Sequence, residues 1–310
     1  MFNFDILLQQ ILNGLVLGSV YALVALGYTM VYGILQLINF AHGEVLMIGA
    51  MVALTVIQIP AVAALPGPLQ MAIALMAAIP ACVLLSLTIE RLAYRPLRGA
   101  PRLSPLITAI GMSIVLQTVA MIIWSPNPHS FPDLLPSEPI AIGGASLAPK
   151  QLLVLGVAAV MMAALSLMVN KTRLGRAMRA TAENPRIAGL MGVNANMVIA
   201  LTFAIGAALA AVAGLLVALN YNIVHFSMGF IPGLKAFTAA VLGGIGNITG
   251  AMIGGLLLGV IESLGAGYIG PLTNNFFGSH YQDIFAFVVL ILVLLLRPSG
   301  IMGERVADRA

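Results

Sequence analysis

Apolar residues run through this chain in long stretches separated by short polar turns, and the stretch lengths predict the elements. Met71 to Ile89, Leu103 to Trp124, Leu152 to Val169 and Val198 to Leu219 each approach the roughly 20 apolar residues that a helix needs to cross hydrocarbon. Barrel strands would be shorter and would alternate. The first run, Ile6 to Ile38, is too long for one upright helix, which predicts tilt or a break near Gly27 or Gly33. It ends in a polar interruption, Asn39-Phe40-Ala41-His42-Gly43-Glu44, and a second apolar run, Val45 to Ile59, follows directly.

Nearer the C-terminus, Asn220 to Lys235 reads as an outer connection, and a Gly-rich pair follows: Ala236 to Ile245 and Ile248 to Leu264, hinged at Gly246-Asn247. The first member is short for a crossing. A half-helix of this kind is tolerated only where protein or a cavity covers its ends. Gly265 to Asp283 reads as an outer loop, and Ile284 to Leu296 as the last span. The pattern predicts an all-α polytopic transmembrane bundle of eight or nine crossings, residues 1–310 forming one membrane domain; its two halves share only a loose Gly-rich, polar-hinge character, and no repeat is claimed from it.

Composition agrees with the pattern. Of 310 residues 61% are hydrophobic and only 8% charged, against roughly a quarter charged in soluble proteins. The net charge of +4 does not point to nucleic acid, because the basic residues sit in short loops, where positive-inside bias accounts for them. By that rule three regions are cytoplasmic: the loop with Arg91, Arg95, Arg98 and Arg102, the stretch Asn170 to Met197, and the tail with Arg297, Arg305 and Arg309. Ser125 to Lys150 and the N-terminus fall outside. Met1 to Asp5 carries no Lys or Arg, so the first span reads as retained and not as a cleaved signal. The single Cys82 excludes an internal disulfide. No phosphate loop and no metal-ligand spacing of Cys or His occurs, and no cofactor is expected.

Three constellations stand out. Asn39, His42 and Glu44 leave two readings open: a short cytoplasmic turn, or a polar wall of a path, since ionisable groups inside a membrane usually line a cavity. Gly243, Gly244, Gly246 and Asn247 offer helix ends that could face a substrate, or simply close helix packing. The third is Asn170 to Met197. Arg173, Arg176 and Arg179 recur every third position, and Leu174, Met178 and Ala182 every fourth, which predicts a helix with a basic and an apolar face. Pro185 ends it, because Asn184 is pushed out of helical geometry. Ile187, Leu190 and Met191 form a second apolar patch, and Gly192 is a natural stop. Periodicity alone also fits a helix lying on anionic lipid.

The stretch Gly175 to Asn194, with Arg176, Arg179, Ala180, Ala182, Glu183, Asn184, Leu190, Gly192 and Asn194, resembles the cytoplasmic loop of the branched-chain amino acid permeases of ATP-binding cassette importers. Gly14 to Tyr32, Asn39 to Gly43 and Pro232 to Gly254 extend the likeness to nearly the whole chain, closest to the smaller, LivH-type permeases of the Liv family. The resemblance implies a coupling helix docking on an ATPase, a role it places on Arg176, Arg179, Glu183, Asn184 and Gly192. It also implies a second homologous permease subunit, two cytoplasmic ATPase subunits, an extracytoplasmic substrate-binding protein, and residence in the bacterial inner membrane. Urea or other small amide cargo is the alternative within the family. A stand-alone secondary transporter would need more ionisable groups in its spans than Glu44 and Glu262.

Overall fold

The computed structural model describes residues 4–101, 103–136, 138–273, 282–297 and 299–303. Arg102, Arg305, Arg309 and residues 274–281 of the predicted 265–283 loop lie outside them. Twelve helices follow in order: α1 Phe4–Leu35, α2 His42–Ile57, α3 Pro60–Ala63, α4 Gly67–Ile89, α5 Leu103–Trp124, α6 Pro149–Lys171, α7 Arg173–Glu183, α8 Pro185–Leu190, α9 Ala195–Tyr221, α10 Phe230–Gly243, α11 Ile248–Leu272 and α12 Gln282–Leu296. Six of them are long and apolar enough to cross a membrane, and α2, α10 and α12 are shorter apolar helices.

The two ends of the bundle differ in chemistry. One carries Arg95, Arg98, Lys171, Arg173, Arg176, Arg179 and Arg186, with Arg98 bonded to Asn196 at the start of α9 and, with Arg95, ion-paired to Glu90. The other carries a hairpin of β2 Ile140–Ile142 with β3 Ala145–Leu147 and a second antiparallel pair, β1 His129–Ser130 with the distant β4 Ile223–Val224. These are the basic end and the hairpin end. Large apolar side chains such as Met76, Leu84, Ile107, Ile114, Ile122, Val160 and Leu167 are exposed on α4, α5 and α6. A water-facing surface would not carry so many. α1 and α9 are enclosed instead.

What encloses α1 is a glycine seam with α11. Gly14 and Gly18 lie against the backbone of residues 255–260, and Gly255 and Gly259 lie against Ala22, Gly18 and Gly14 in return. Small residues four apart let two backbones approach, and in lipid such close packing drives helix association. A Cβ on Gly18 would stand 2.7 Å from the Leu256 Cα. α1 is continuous through Gly27 and Gly33, so the expected break there is absent. Those glycines serve packing: Gly27 makes room for the His42 ring, and Gly33 approaches Gly246.

The break comes later, and it occurs twice. α1 ends at Leu35 and Gln36 takes a left-handed φ of 55°; α9 ends at Tyr221 and Asn222 takes φ 56°. After each, the chain folds back into the bundle without regular helix and then starts a short helix, α2 in one case and α10 in the other. The two short helices run in opposite directions, α2 toward the hairpin end and α10 toward the basic end. They begin against one another: a Cβ on Gly43 would meet the Gly229 carbonyl and the Gly233 Cα. A long helix followed by a turned-back half-helix, used twice with opposite sense, is the architecture of discontinuous transporter helices. Two boundaries move. The outer connection shrinks from Asn220–Lys235 to residues 222–229, and α11 runs on to Leu272.

A substitution tests the seam. Gly259→Val drives a side chain into the α1 backbone and should destabilise the bundle by about 3 kcal/mol or more, the upper range of overpacking. Gly156→Val on α6, where a Cβ meets nothing within 4 Å, should be neutral. Thermal loss of the monodisperse peak in detergent compares the two.

Candidate functional site

The half-helix junction holds the first polar group. Asn39, His42 and Glu44 are all buried, at 3%, 2% and 1% exposure. They do not form an exposed turn at the end of the bundle. The reversal is made by the residues before them, and His42 reaches the level of Gly27, eight residues or about 12 Å from the end of α1. Its ring sits between Gly27 and Gly206 and edge-on to Tyr28, with centroids 5.1 Å apart. The Asn39 Oδ1 accepts a bond of 2.9 Å from the Tyr94 hydroxyl. On Glu44, Oε1 accepts from Ser113 Oγ at 3.0 Å and from Gln117 Nε2 at 2.8 Å. His42 Nε2 and Glu44 Oε2 have no partner among the described residues. Both half-helices begin without a side-chain cap.

The second hinge lies elsewhere. Gly243 ends α10, Gly244 and Gly246 turn with φ of 108° and 94°, and Asn247 caps α11 by accepting from the Gly250 N–H at 2.9 Å. Asn247 Nδ2 also donates to the Met302 carbonyl, while Ile301 and Met302 donate to Leu242 and Gly243. This is a helix-to-helix turn at the basic end, laced to the C-terminal segment. Gly243 and Gly250 are the packing glycines of the α10–α11 contact. The structure therefore separates these four residues from Asn39, His42 and Glu44.

A third group escaped the sequence reading. Lys235, expected in an outer connection, lies one turn inside α10 at 4% exposure. Its ammonium donates to Glu262 Oε1 at 2.6 Å and to the Tyr21 hydroxyl at 3.3 Å, and pairs with Asp283 at 2.6 Å. Tyr21 donates in turn to Glu262 at 3.3 Å. Four helices, α1, α10, α11 and α12, are tied by one cation. A cavity of about 300 Å³ opens beside it, lined among others by Tyr21, Tyr221, His225, Lys235 and Asp283. The signal available in sequence was the 27-residue spacing of Lys235 and Glu262 across a Gly-rich turn, which brings two antiparallel helices together; misplacing the start of α10 hid it.

At the basic end, α7 and α8 project from the bundle. Thr172 caps α7 by accepting from the Gly175 N–H at 3.2 Å, and Gly175 packs on the Val169 carbonyl, which fixes the angle between α6 and α7. Arg179 turns inward and donates to that same carbonyl. Asn184 leaves helical geometry at φ −156° and its Oδ1 accepts from both Arg186 and Ile187, capping α8. Gly192 closes the stretch with φ 86°. Met178 and Thr181 are buried, whereas Arg176 and Glu183 face out. Beyond them α8 exposes an apolar patch: Ile187, Leu190 at 87% and Met191 at 81%.

Half-helices meeting inside a bundle, buried ionisable groups beside cavities and a projecting amphipathic element at one end define a polytopic helical membrane transport protein. The family model for the permease component of the branched-chain amino acid transport system matches residues 10–294, and the chain belongs to that family. It is 50% identical to the high-affinity branched-chain amino acid transport system permease protein BraD of Pseudomonas aeruginosa and 46% identical to LivH of Escherichia coli K12, over 96% of this chain and of each relative. A probable permease of the same kind from Methanocaldococcus jannaschii is 28% identical over 95% of this chain and 92% of its own. These relatives are named as transport permeases. Among the described residues no three His, Cys, Asp or Glu side chains gather as metal ligands.

The buried ion cluster makes a prediction. Lys235→Met leaves Glu262 without its counter-charge and should cost about 3–5 kcal/mol, the range for removing one member of a buried pair. Lys235→Met with Glu262→Met should recover a large part of it, since Asp283 is 42% exposed and reaches solvent. Thermal unfolding of the single and double variants reads the coupling.

Proposed function

We propose that this chain is a membrane-spanning permease subunit of an ATP-binding cassette importer that carries branched-chain amino acids inward. It acts in the inner membrane beside a second, homologous permease, with two ATPase subunits at its basic end and a substrate-binding protein at its hairpin end. The observation that carries the reading is the projecting α7–α8 element, on a chain half identical to a branched-chain amino acid permease over nearly its whole length. Binding and hydrolysis of ATP need a rigid element through which to move the bundle. Residues 170–197 meet that need, because Thr172, Gly175 and Arg179 fasten α7 to the end of α6 and Asn184 fastens α8 to α7.

Burial within the element supports a division of parts. Arg176, Glu183, Asn184 and the apolar patch Ile187, Leu190 and Met191 make the docking face; a partner groove would cover an apolar patch that water otherwise wets. Arg179 sets the posture of α7, and Gly192 lets the chain turn back into α9. A lipid-surface helix is less well supported, since the apolar face of α7 is already spent on the bundle: Met178 is buried there.

Uptake of labelled leucine into liposomes by the reconstituted complex tests the reading, and should require both ATP and the binding protein. Leu190→Asp and Glu183→Lys should each lower uptake at least tenfold, with less ATPase co-purifying. Leucine transport by the purified chain alone, driven by an ion gradient and indifferent to ATP, would sink the proposal in favour of a secondary transporter.

A further inference from the structure

A second cavity, of about 370 Å³, lies where the two half-helices begin, lined by Tyr28, Phe40, Ser113, Gln117, Gly229, Gly233 and the aliphatic residues Ile110, Ile114 and Leu234, with Phe230 at its edge. Its size falls at the lower end of the roughly 300–1,000 Å³ of small-molecule clefts. Its rim, Ile110, Ile114 and Phe230, is exposed in the single chain. We infer that this cavity receives a zwitterionic α-amino acid with a branched aliphatic side chain, as a binding station within the permease itself.

Three chemistries converge there. Tyr28, Phe40, Ile110, Ile114 and Leu234 provide apolar walls for the side chain, and the rings of Tyr28 and Phe40 are set by contacts with Phe237. The first turns of α2 and α10 meet at Gly43, Gly229 and Gly233, neither with a side-chain cap. Each helix N-terminus carries about half a positive charge, and two of them favour a carboxylate. On the first turn of α2 stands Glu44, 1% exposed, with one oxygen held by the wall residues Ser113 and Gln117 and the other unpartnered among the described residues. With one N–H on Glu44, Gln117 keeps its carbonyl oxygen and a second N–H for a ligand, and the carboxylate behind it favours an ammonium. A buried acid costs several kcal/mol in a membrane. A cationic ligand group near it offsets part of that cost.

The glycines explain why the station is where it is. Any side chain at Gly43, Gly229 or Gly233 would hold the half-helices apart or fill the space between them. A preformed cavity bounded by backbone also limits the ordering that a weakly held, transiently bound ligand must impose.

The inference rests on the branched-chain reading above, so its test keeps the two apart. The permease complex, purified with its ATPases but without binding protein, is placed in lipid nanodiscs and titrated with labelled leucine. Saturable binding is expected, displaced by valine and isoleucine. Leucinol, which lacks the carboxylate, and 4-methylpentanoate, which lacks the ammonium, should compete at least tenfold less well. Ile114→Trp, filling the rim, and Gln117→Leu should each weaken leucine at least tenfold, while Ile122→Trp, two turns along the same exposed face, should change it less than twofold. Equal competition by leucine, leucinol and 4-methylpentanoate would mean an apolar crevice only, and no saturable binding, or unchanged binding in Ile114→Trp, would likewise overturn the station. Uptake by the complete wild-type system is measured in parallel. If leucine is taken up but the station fails, only this inference falls; if no branched-chain amino acid is taken up, the functional reading falls with it.

Discussion

Two helices of this protein begin inside the bundle, and hydrocarbon cannot satisfy the backbone groups of a helix end. The rest of the architecture answers that constraint. α1, α9 and α11 wall off the half-helices from lipid, and α4 and α5 close the other side. The glycines at 43, 229 and 233 let the two ends touch, so that each is covered by the other's backbone. Antiparallel pairing of β1 with the distant β4, with Lys150 and Asp133 bonded to Asn222, pins the point where the second re-entrant segment turns inward. The ion cluster of Lys235 then ties α10 to three neighbours, so the helix that starts in mid-bundle does not depend on its own short length for its position.

Function follows from the same break. A continuous helix presents side chains to its surroundings, whereas a broken one also presents the charge of its ends. Here the broken ends, a buried acid and two cavities lie in one chain. At the basic end Met178 and Arg179 of α7 share a small cavity of about 100 Å³ with Thr29 and Gly33 of α1 and with Gly246 of the turn after α10.

Much of this was legible from hydrophobic run lengths and charge placement. α4, α5, α6 and α9 fall within a few residues of their expected bounds, because a long apolar run between basic and neutral turns admits few alternatives. Asn184-Pro185 divided α7 from α8 as local backbone sterics require. What failed was depth. Run length cannot tell a turn at the membrane surface from a reversal inside the bundle, and so Asn39, His42 and Glu44 were open to both readings. Lys235 was misplaced for a related reason: a lysine beside Pro232 and Gly233 reads as loop until its acid partner, on the next helix, is known. Gly246 and Asn247, open to a path or a packing reading, form the turn and the helix cap between α10 and α11. Gly27 looked like a helix break and turned out to be the space for an imidazole.

The glycine seam has a consequence for how the protein is made. Tyr21 and Glu262, which meet across the seam, are separated by 241 residues, so α1 must wait for α11, made much later, before its groove is filled. Until then α1 sits in lipid with its small residues uncovered, and Lys235 enters the bilayer ahead of Glu262. Assembly of so non-local a contact is slow compared with local helix formation. The unfinished bundle is therefore the stage at which membrane insertases and proteases have most to recognise.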